Sequence, residues 1–440
     1  MKLDYRRTFI LGFGFFGISI IWSVYNAFVP IFLRDYVLPW WLVGFVMTFD
    51  NLLGITLLPY IGQLSDNTRT RWGRRIPFIM IGAPIAALFM LAVPLIHTNM
   101  EHVGSTLALM MGVIIVMNVA MAIFRTPTVA LMPDITPPAL RSKANGIINL
   151  MGGLGTSIAF LIGGMLFSSN VIYPFALATI VLLIAEGIVI WRVREPEDYV
   201  VEEAVEPPGL LDSLRETIAN AVEIARAPEK SALYVCLAIF CWFMGYNAVE
   251  AFWTSYGREV IYASQIASGA MTAAQAVSRS TMQLTYLSAA FLIFALPSGF
   301  VATRFGRKRT IMTGLVLLAV LWMGLLIIPN PTYVTVALII SGIAWACVNI
   351  NSLPVVADLA PRDRVGAYTG LYYFFSMLAA STSPTIVGWL MDWLGLRVMF
   401  VFASLFMALA ALCMTRVRRS EPPEPADLGA SLEMVAEADM

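Results

Sequence analysis

Apolar stretches long enough to cross a membrane recur along almost the whole of this chain, separated by short polar joints. About 20 apolar residues wound as a helix span the hydrocarbon core of a bilayer, and a soluble fold has no room for many such segments in series. Twelve can be drawn, at about 8–33, 40–64, 76–97, 106–132, 144–167, 172–191, 231–256, 282–302, 310–329, 333–357, 365–390 and 397–416. They are continuous runs rather than the ~10-residue alternating blocks of a membrane barrel, so helices are the expected spanning element. Composition points the same way: 13% of the 440 residues are charged, about half the share in a soluble domain. A net charge of zero offers nothing to attract nucleic acid. The fold class expected is an all-α membrane protein.

Lysine and arginine set the orientation. With the N-terminus inside, 23 of the 28 fall on the inner side, 4 on the outer side (Arg34, Arg258, Arg279, Arg397), and Arg125 lies within a span. This asymmetry obeys the positive-inside rule. It predicts a multi-pass protein of the cell (plasma or inner) membrane with both termini in the cytoplasm. Arg6-Arg7 ahead of the first apolar run resembles a twin-arginine export signal, but no small-residue cleavage site follows, so a retained anchor is expected. The four cysteines fall inside predicted spans, away from any loop where oxidation would pair them. His97 and His102 share one short outer loop with no further ligand type beside them, so neither a metal nor another cofactor is expected.

The chain reads as two copies of one unit. Tyr25-Asn26-Ala27 in the first span recurs as Tyr246-Asn247-Ala248 in the seventh. A basic hairpin after the second span recurs after the eighth, and Asp134…Pro137…Arg141…Gly146 recurs as Asp358…Pro361…Arg364…Gly370. Three anchors in one order predict a six-plus-six duplication with a polar site between the halves, as in transporters built from parallel repeats. The expected domains are a first six-helix bundle (1–191), a cytoplasmic linker (192–230), a second bundle (231–416) and an acidic tail (417–440) expected to be disordered. Within the linker, residues 210–226 place apolar side chains at helical spacing and predict an amphipathic helix on the membrane surface.

The first hairpin, Gly62-Gln-Leu-Ser-Asp66-Asn-Thr-Arg69-Thr-Arg71-Trp-Gly73-Arg74-Arg75-Ile-Pro77, resembles the signature loop between helices 2 and 3 of the major facilitator superfamily. Gly299-Phe-Val-Ala-Thr-Arg-Phe-Gly306-Arg307-Lys-Arg309 is its degenerate copy, with Thr303 in place of the acid. The spacing from Asp66 to Gly73-Arg74-Arg75, the following proline and Ala130-Leu-Met-Pro-Asp134-Ile-Thr are similar to the branch holding sucrose-type transporters and glycoside–pentoside–hexuronide:cation symporters. The resemblance covers about residues 1–416. It implies twelve helices in two pseudo-symmetric bundles and secondary transport of sugars or glycosides, often with protons or sodium. Gly54, Leu58 and Arg125 occupy the places where melibiose-type symporters carry cation-holding acids. No sodium cage of that kind is expected here, and a proton is the expected coupling ion.

Ionisable side chains inside spans are costly and mark function first. Asp50, Arg125 and Glu250 are therefore the candidates for ion coupling and substrate contact; the competing reading is a structural buried ion pair. Glu186, near the inner end of its span, is expected to reach the membrane interface instead. Asn26, Asn118, Asn247, Asn349 and Asn351 fall in spans 1, 4, 7 and 10, the helices that line the cavity in the superfamily, and amides suit sugar hydroxyls. Trp22, Tyr25, Trp242, Tyr246 and Trp345 offer faces for a pyranose ring; alternatively, such residues only pack helices together. A cytoplasmic latch is expected from Gly62, Asp66, Arg69, Gly73, Arg74, Arg75, Asp134 and Arg141, and more weakly from Gly299, Gly306, Arg307, Asp358 and Arg364. In it, Gly62 would let helices approach and Asp66 would cap a helix or pair with an arginine across the domain interface.

The function expected is alternating-access transport of a sugar or glycoside, coupled to protons, by a monomer in contact with membrane lipid. An exporter of amphipathic compounds is the alternative transporter. A non-transporting scaffold or sensor on the same fold is the alternative from another class. An enzyme is not expected, because no nucleophile–base or metal-ligand group lies together near a membrane face.

Overall fold

The computed structural model describes residues 3–137, 140–195, 210–328, 330–361 and 364–418. Lipid offers no hydrogen bonds, so each spanning segment must satisfy its backbone internally, and helices do so. In chain order they are α1 (Tyr5–Asp35), α2 (Trp40–Met47), α3 (Phe49–Asn67), α4 (Ile76–Asn99), α5 (Gly104–Ile135), α6 (Arg141–Ser169), α7 (Tyr173–Arg192), α8 (Leu210–Arg226), α9 (Ser231–Tyr256), α10 (Ala263–Ala267), α11 (Ala273–Phe305), α12 (Arg307–Ile327), α13 (Pro331–Leu359), α14 (Val365–Leu394) and α15 (Val398–Arg416). A π-helical turn, Gly257–Ile261, prolongs α9. Among the described residues, eleven helices are long and apolar enough to cross a membrane.

The twelfth span is split. Its predicted range, 40–64, is broken at Thr48 into α2 and α3, and Asp50 falls in the first turn of α3. The break is slight: the Thr48 N–H still donates to the Gly44 carbonyl and the Leu52 N–H to the Thr48 carbonyl, each at 3.1 Å, and the Thr48 hydroxyl adds a bond to the Phe45 carbonyl at 2.8 Å. The eighth span also differs, starting at Ala273 rather than 282. Ser278, Ser280, Thr281 and Gln283 depress the hydropathy of that stretch, yet all four are buried. Ser280 and Thr281 donate back to Ala276 and Val277 carbonyls of their own helix, at 2.8 and 2.9 Å. A capping box of Thr272 and Gln275 starts the helix.

The two halves pack alike. In the first, α1 packs on α6 and α7, α5 on α3 and α4, and α4 on α7. In the second, α9 packs on α14 and α15, α13 on α11 and α12, and α12 on α15. The halves meet through α6 with α11, α2 with α14, and α1 with α9. Between them α8 lies against the second half, where Ile224 is buried with Ala232, Cys236 and Leu371. Arg364 at the start of α14 pairs with Glu223 of α8 and donates to Asn220 at 2.9 Å. Those hydrogen bonds hold the Glu223 carboxyl below its usual range. The strut is therefore complete above that range and is lost as pH falls through the lowered value. The acidic linker residues 196–209, Arg362 and the tail from 419 lie outside the described residues.

The end opposite the basic hairpins is sealed. Asp392 of α14 accepts the backbone N–H groups of Trp40 and Trp41 at 2.8 and 3.0 Å. The Thr254 hydroxyl donates to the Ala27 carbonyl at 2.6 Å, and Arg258 pairs with Asp35 at 2.7 Å. Glycine makes the contact possible: a Cβ on Gly44 would stand 2.1 Å from the Pro384 carbonyl oxygen, and one on Gly388 would stand 2.4 Å from that of Trp40. Overpacking of this kind costs about 1–3 kcal/mol, enough to move a two-state balance about 5- to 150-fold. Gly388→Val is therefore expected to open this end. A cysteine placed at Asn26, on the far side of the seal, should then react at least about tenfold faster with a membrane-impermeant maleimide. Labelling as slow as in the Gly388 parent would show that the seal does not depend on this crossing.

Candidate functional site

Asp50 and Glu250 face the space between the halves. Asp50, from α3, and Glu250, from α9, line one cavity of about 50 Å³ together with Asn26, Asn51, Asn247, Met47, Ala251, Ala380 and Pro384. That is room for one or two water-sized guests, each taking about 30 Å³. The repeated Tyr-Asn-Ala thus brings its two asparagines to the same hollow from opposite halves. The Asn51 amide donates to Asp50 Oδ1 at 3.0 Å, and that of Asn247 donates to the Phe243 carbonyl of its own helix at 2.7 Å. Arg125, from α5, interacts electrostatically with Asp50 and holds its guanidinium 5.9 Å over the Trp22 ring. Arg125 is exposed, while Asp50 and Glu250 are half-buried.

Glu250 also borders a second, larger cavity of about 240 Å³. Tyr246 and Trp345 form one wall, stacked with ring centroids 4.0 Å apart and planes 9° from parallel. Thr156 and Ser288 add hydroxyls, and Phe160, Phe291 and Trp322 close the rest. Ser157 of α6 and Ser288 of α11 bridge the halves at 3.0 Å. Gly153 lets these helices meet, since a Cβ there would stand 2.8 Å from Leu292. The arrangement joins a flat aromatic face, a few hydroxyls and a carboxylate, which is the equipment for holding a ring-shaped polyol.

Other expected residues lie elsewhere. Trp242 is wholly buried in the core of the second half, its indole N–H without an acceptor. Tyr25 is equally buried, its ring edge-on to Trp22. Asn118 is buried and donates to the Ile114 carbonyl at 2.9 Å. Asn351 is buried and donates to Cys347 of its own helix at 3.0 Å, while the Asn349 carbonyl accepts from Ser352 at 2.6 Å. Neither Asn349 nor Asn351 lines the two cavities. Trp345 takes the cavity-facing register. At about 100° per residue Asn351, six residues on, is turned well away from it, whereas Asn349, four residues on, shares nearly the same face but lies a full turn farther along α13 than the cavity.

Glu186 departs most from expectation. It is 1% exposed, and among the described residues neither carboxylate oxygen has a hydrogen-bond partner. It is not at the membrane interface but wedged between α7 and α1, 3.4 Å from where a Cβ on Gly14 would be, with Thr128 of α5 beside it. Its depth along α7 suited the interface; its rotation about the helix put it inside the bundle.

The basic hairpin is a clamp within the first half. Asp134 of α5 accepts from Arg74 at 2.6 Å and from Arg75 at 3.0 Å. Asp66 pairs with the same two arginines, at 3.5 Å to Arg74. Arg75, 5% exposed, also donates to Ser65 and, at 3.3 Å, to the Gly62 carbonyl. Asp66 therefore finds its arginines in its own hairpin and not across the halves. Gly62 makes only ordinary contact, with Thr126 at 3.6 Å from a Cβ, so close approach is not its role. Arg69 donates to the Thr68 carbonyl at 3.0 Å, and Arg141 to the Pro133 carbonyl at 3.2 Å. In the second half Arg307 pairs with Asp358, and Gly306 takes the positive φ of +89° that lets α11 turn straight into α12. A Cβ on Gly299 would meet nothing within 4 Å.

Sequence reasoning missed Glu195, which closes this clamp. Its carboxylate accepts the backbone N–H groups of Arg74, Arg75 and Ile76 at 2.9, 2.8 and 3.0 Å, capping the start of α4 from beyond the end of α7. Gly73 makes room, with φ +106° and a Cβ position 2.5 Å from that carboxylate. Glu195 falls within the stretch expected as linker, and no spacing rule marks a cap that arrives from 120 residues away.

The sequence profile of the Major Facilitator Superfamily matches residues 11–281 and 261–433. The chain belongs to this superfamily. Its helical order and paired bundles follow that fold: a crystal structure of the nucleoside transporter NupG superposes with a TM-score of 0.70 at 12% identity, covering 95% of this chain and all of that one. A human protein named proton-associated sugar transporter A is 29% identical over 170 residues, 37% of this chain and 23% of its own. An uncharacterized symporter, sll1374 of Synechocystis, is 31% identical over 140 residues, 31% of this chain and 26% of its own. The match thus spans about a quarter of the length of these relatives.

Glu186 generates a test. A buried carboxylate without a partner costs about 1–3 kcal/mol, and an amide of the same shape removes the charge but keeps the volume. Glu186→Gln is expected to leave the melting temperature of the purified protein unchanged or higher. A fall of several degrees would show that the carboxylate has a charged partner in the folded protein.

Proposed function

We propose that this superfamily member carries a sugar or glycoside across the cell membrane by alternating access, in symport with protons. The basic end faces the cytoplasm on this reading, and the sealed end faces outside. One observation carries the proposal: Asp50 of one half and Glu250 of the other share a cavity, and Glu250 also borders the aromatic-walled one. Two carboxylates around so small a hollow repel when both are charged, and a proton taken up by either relieves the repulsion. The same step alters what holds the halves together and what the substrate meets. Arg125 supplies the compensating charge to Asp50. At about 240 Å³ the larger cavity falls below the ~300–1,000 Å³ of drug-sized sites, which favours a solute of one ring. The names of the matched relatives, a proton-associated sugar transporter and a symporter, support the same reading.

The substrate is found first by thermal shift against a sugar panel at two pH values, since a ligand at 100 times its Kd stabilises by about 2.7 kcal/mol. In proteoliposomes with an imposed pH gradient, Asp50→Asn and Glu250→Gln should then each lose at least about nine-tenths of substrate accumulation. At least one should keep counterflow exchange, because coupling and not the pathway is removed. Accumulation at the parent level in both variants would end the proposal.

A further inference from the structure

We infer that the hollow between the α3–α4 hairpin and the end of α7 binds the phosphate of an anionic phospholipid. The hollow measures about 770 Å³ and is lined by Arg69, Arg71, Trp72, Met80, Trp191 and Arg194, with Glu195 at its back. Two indoles stand out into it: Trp72 is 50% exposed and Trp191 72% exposed. Each carries a guanidinium on its face, Arg71 at 4.1 Å over Trp72 and Arg192 at 3.9 Å over Trp191. Tryptophan and arginine together at a membrane boundary are the pairing that sits at headgroup level, and basic pockets between spans there take acidic headgroups. The one acid in the wall does not oppose an anion freely, because Glu195 is engaged by three amides of α4.

The surroundings favour a lipid over a free phosphate. Beyond the hollow the outward faces of α4 and α7 continue as exposed apolar side chains, Ile81 and Leu88 on one, Ile180 and Ile184 on the other. A headgroup in the hollow would lay its acyl chains along this track. The corresponding hollow of the second half, about 780 Å³, is also basic. There, however, Lys308 is bound to the Thr415 and Val417 carbonyls and Arg307 to Asp358, and no tryptophan lines it. The site is therefore assigned to the first half alone.

The test is native mass spectrometry of the full chain in detergent, titrated with phosphatidylglycerol or phosphatidylcholine. The parent should bind phosphatidylglycerol at least tenfold more tightly than phosphatidylcholine. Arg71→Gln with Arg194→Gln should weaken phosphatidylglycerol about 30-fold, whereas Arg71→Lys with Arg194→Lys, which keeps the charge, should stay within a few-fold of the parent. Inorganic phosphate at millimolar concentration should not displace the lipid. Equal binding of the two lipids by the parent, undiminished phosphatidylglycerol binding by the double glutamine variant, loss in the double lysine variant as complete as in the glutamine one, or displacement by inorganic phosphate would each overturn the assignment.

Discussion

Close approach of backbones at glycine crossings is the constraint on which the rest of this structure depends. Within a bilayer, apolar side chains gain nothing by leaving lipid for one another, so helices associate through tight packing and hydrogen bonds. The interface between the halves follows that rule: Gly44 against Pro384 and Gly388 against Trp40 leave no room for a methyl group, and Gly164 is tight against Ser278. Where the backbones come this near, their carbonyls and amides fall within reach of Thr254 and Asp392. Such a surface closes fully or opens; it has little room for states between. The polar hollow borders the same crossing, with Met47 of α2 and Ala380 and Pro384 of α14 in its wall.

Charge is partitioned accordingly. The pairs at the basic end, Asp66 and Asp134 with Arg74 and Arg75, lie inside one half and brace α3, α4 and α5 as a body. Bridges of this kind stay intact while one half swings against the other. At the sealed end, by contrast, Asp35 with Arg258 and Arg34 with Glu259 join different halves, and these must break when that end opens. Ion pairs kept inside one half at the basic end, with bridges between halves at the sealed end, are the arrangement that the proposed alternating access would use.

The fold was largely legible in the sequence, because lipid imposes one rule on every segment and duplication writes each landmark twice. Asn26 and Asn247 show how far repetition reaches: their shared motif put them at equal depth, and they meet at one cavity. The break at Thr48 was not legible as such, though Thr48, Asp50 and Asn51 within an apolar run are the residue types that start helices. Depth along a helix can be counted from its ends, but rotation about its axis is set by packing. That is why Glu186 and Trp242 turned inward, and why Trp345 rather than Asn351 took the cavity wall; Asn349, on nearly the face of Trp345, lies one turn beyond it. Glu195 was beyond reach for another reason, since its partners are backbone amides, which carry no residue identity.

The interruption at Thr48 has a mechanical meaning. On one side of it, α2 is packed against α14 of the second half; on the other, α3 is packed against α5 of the first. A single polypeptide segment is thus shared between the two halves, and the joint lies two residues from Asp50. Any bending there tilts that carboxylate relative to Glu250 and Arg125. On the proposed mechanism, the proton-binding carboxylate and the segment that spans the two halves would thus be one and the same piece of chain.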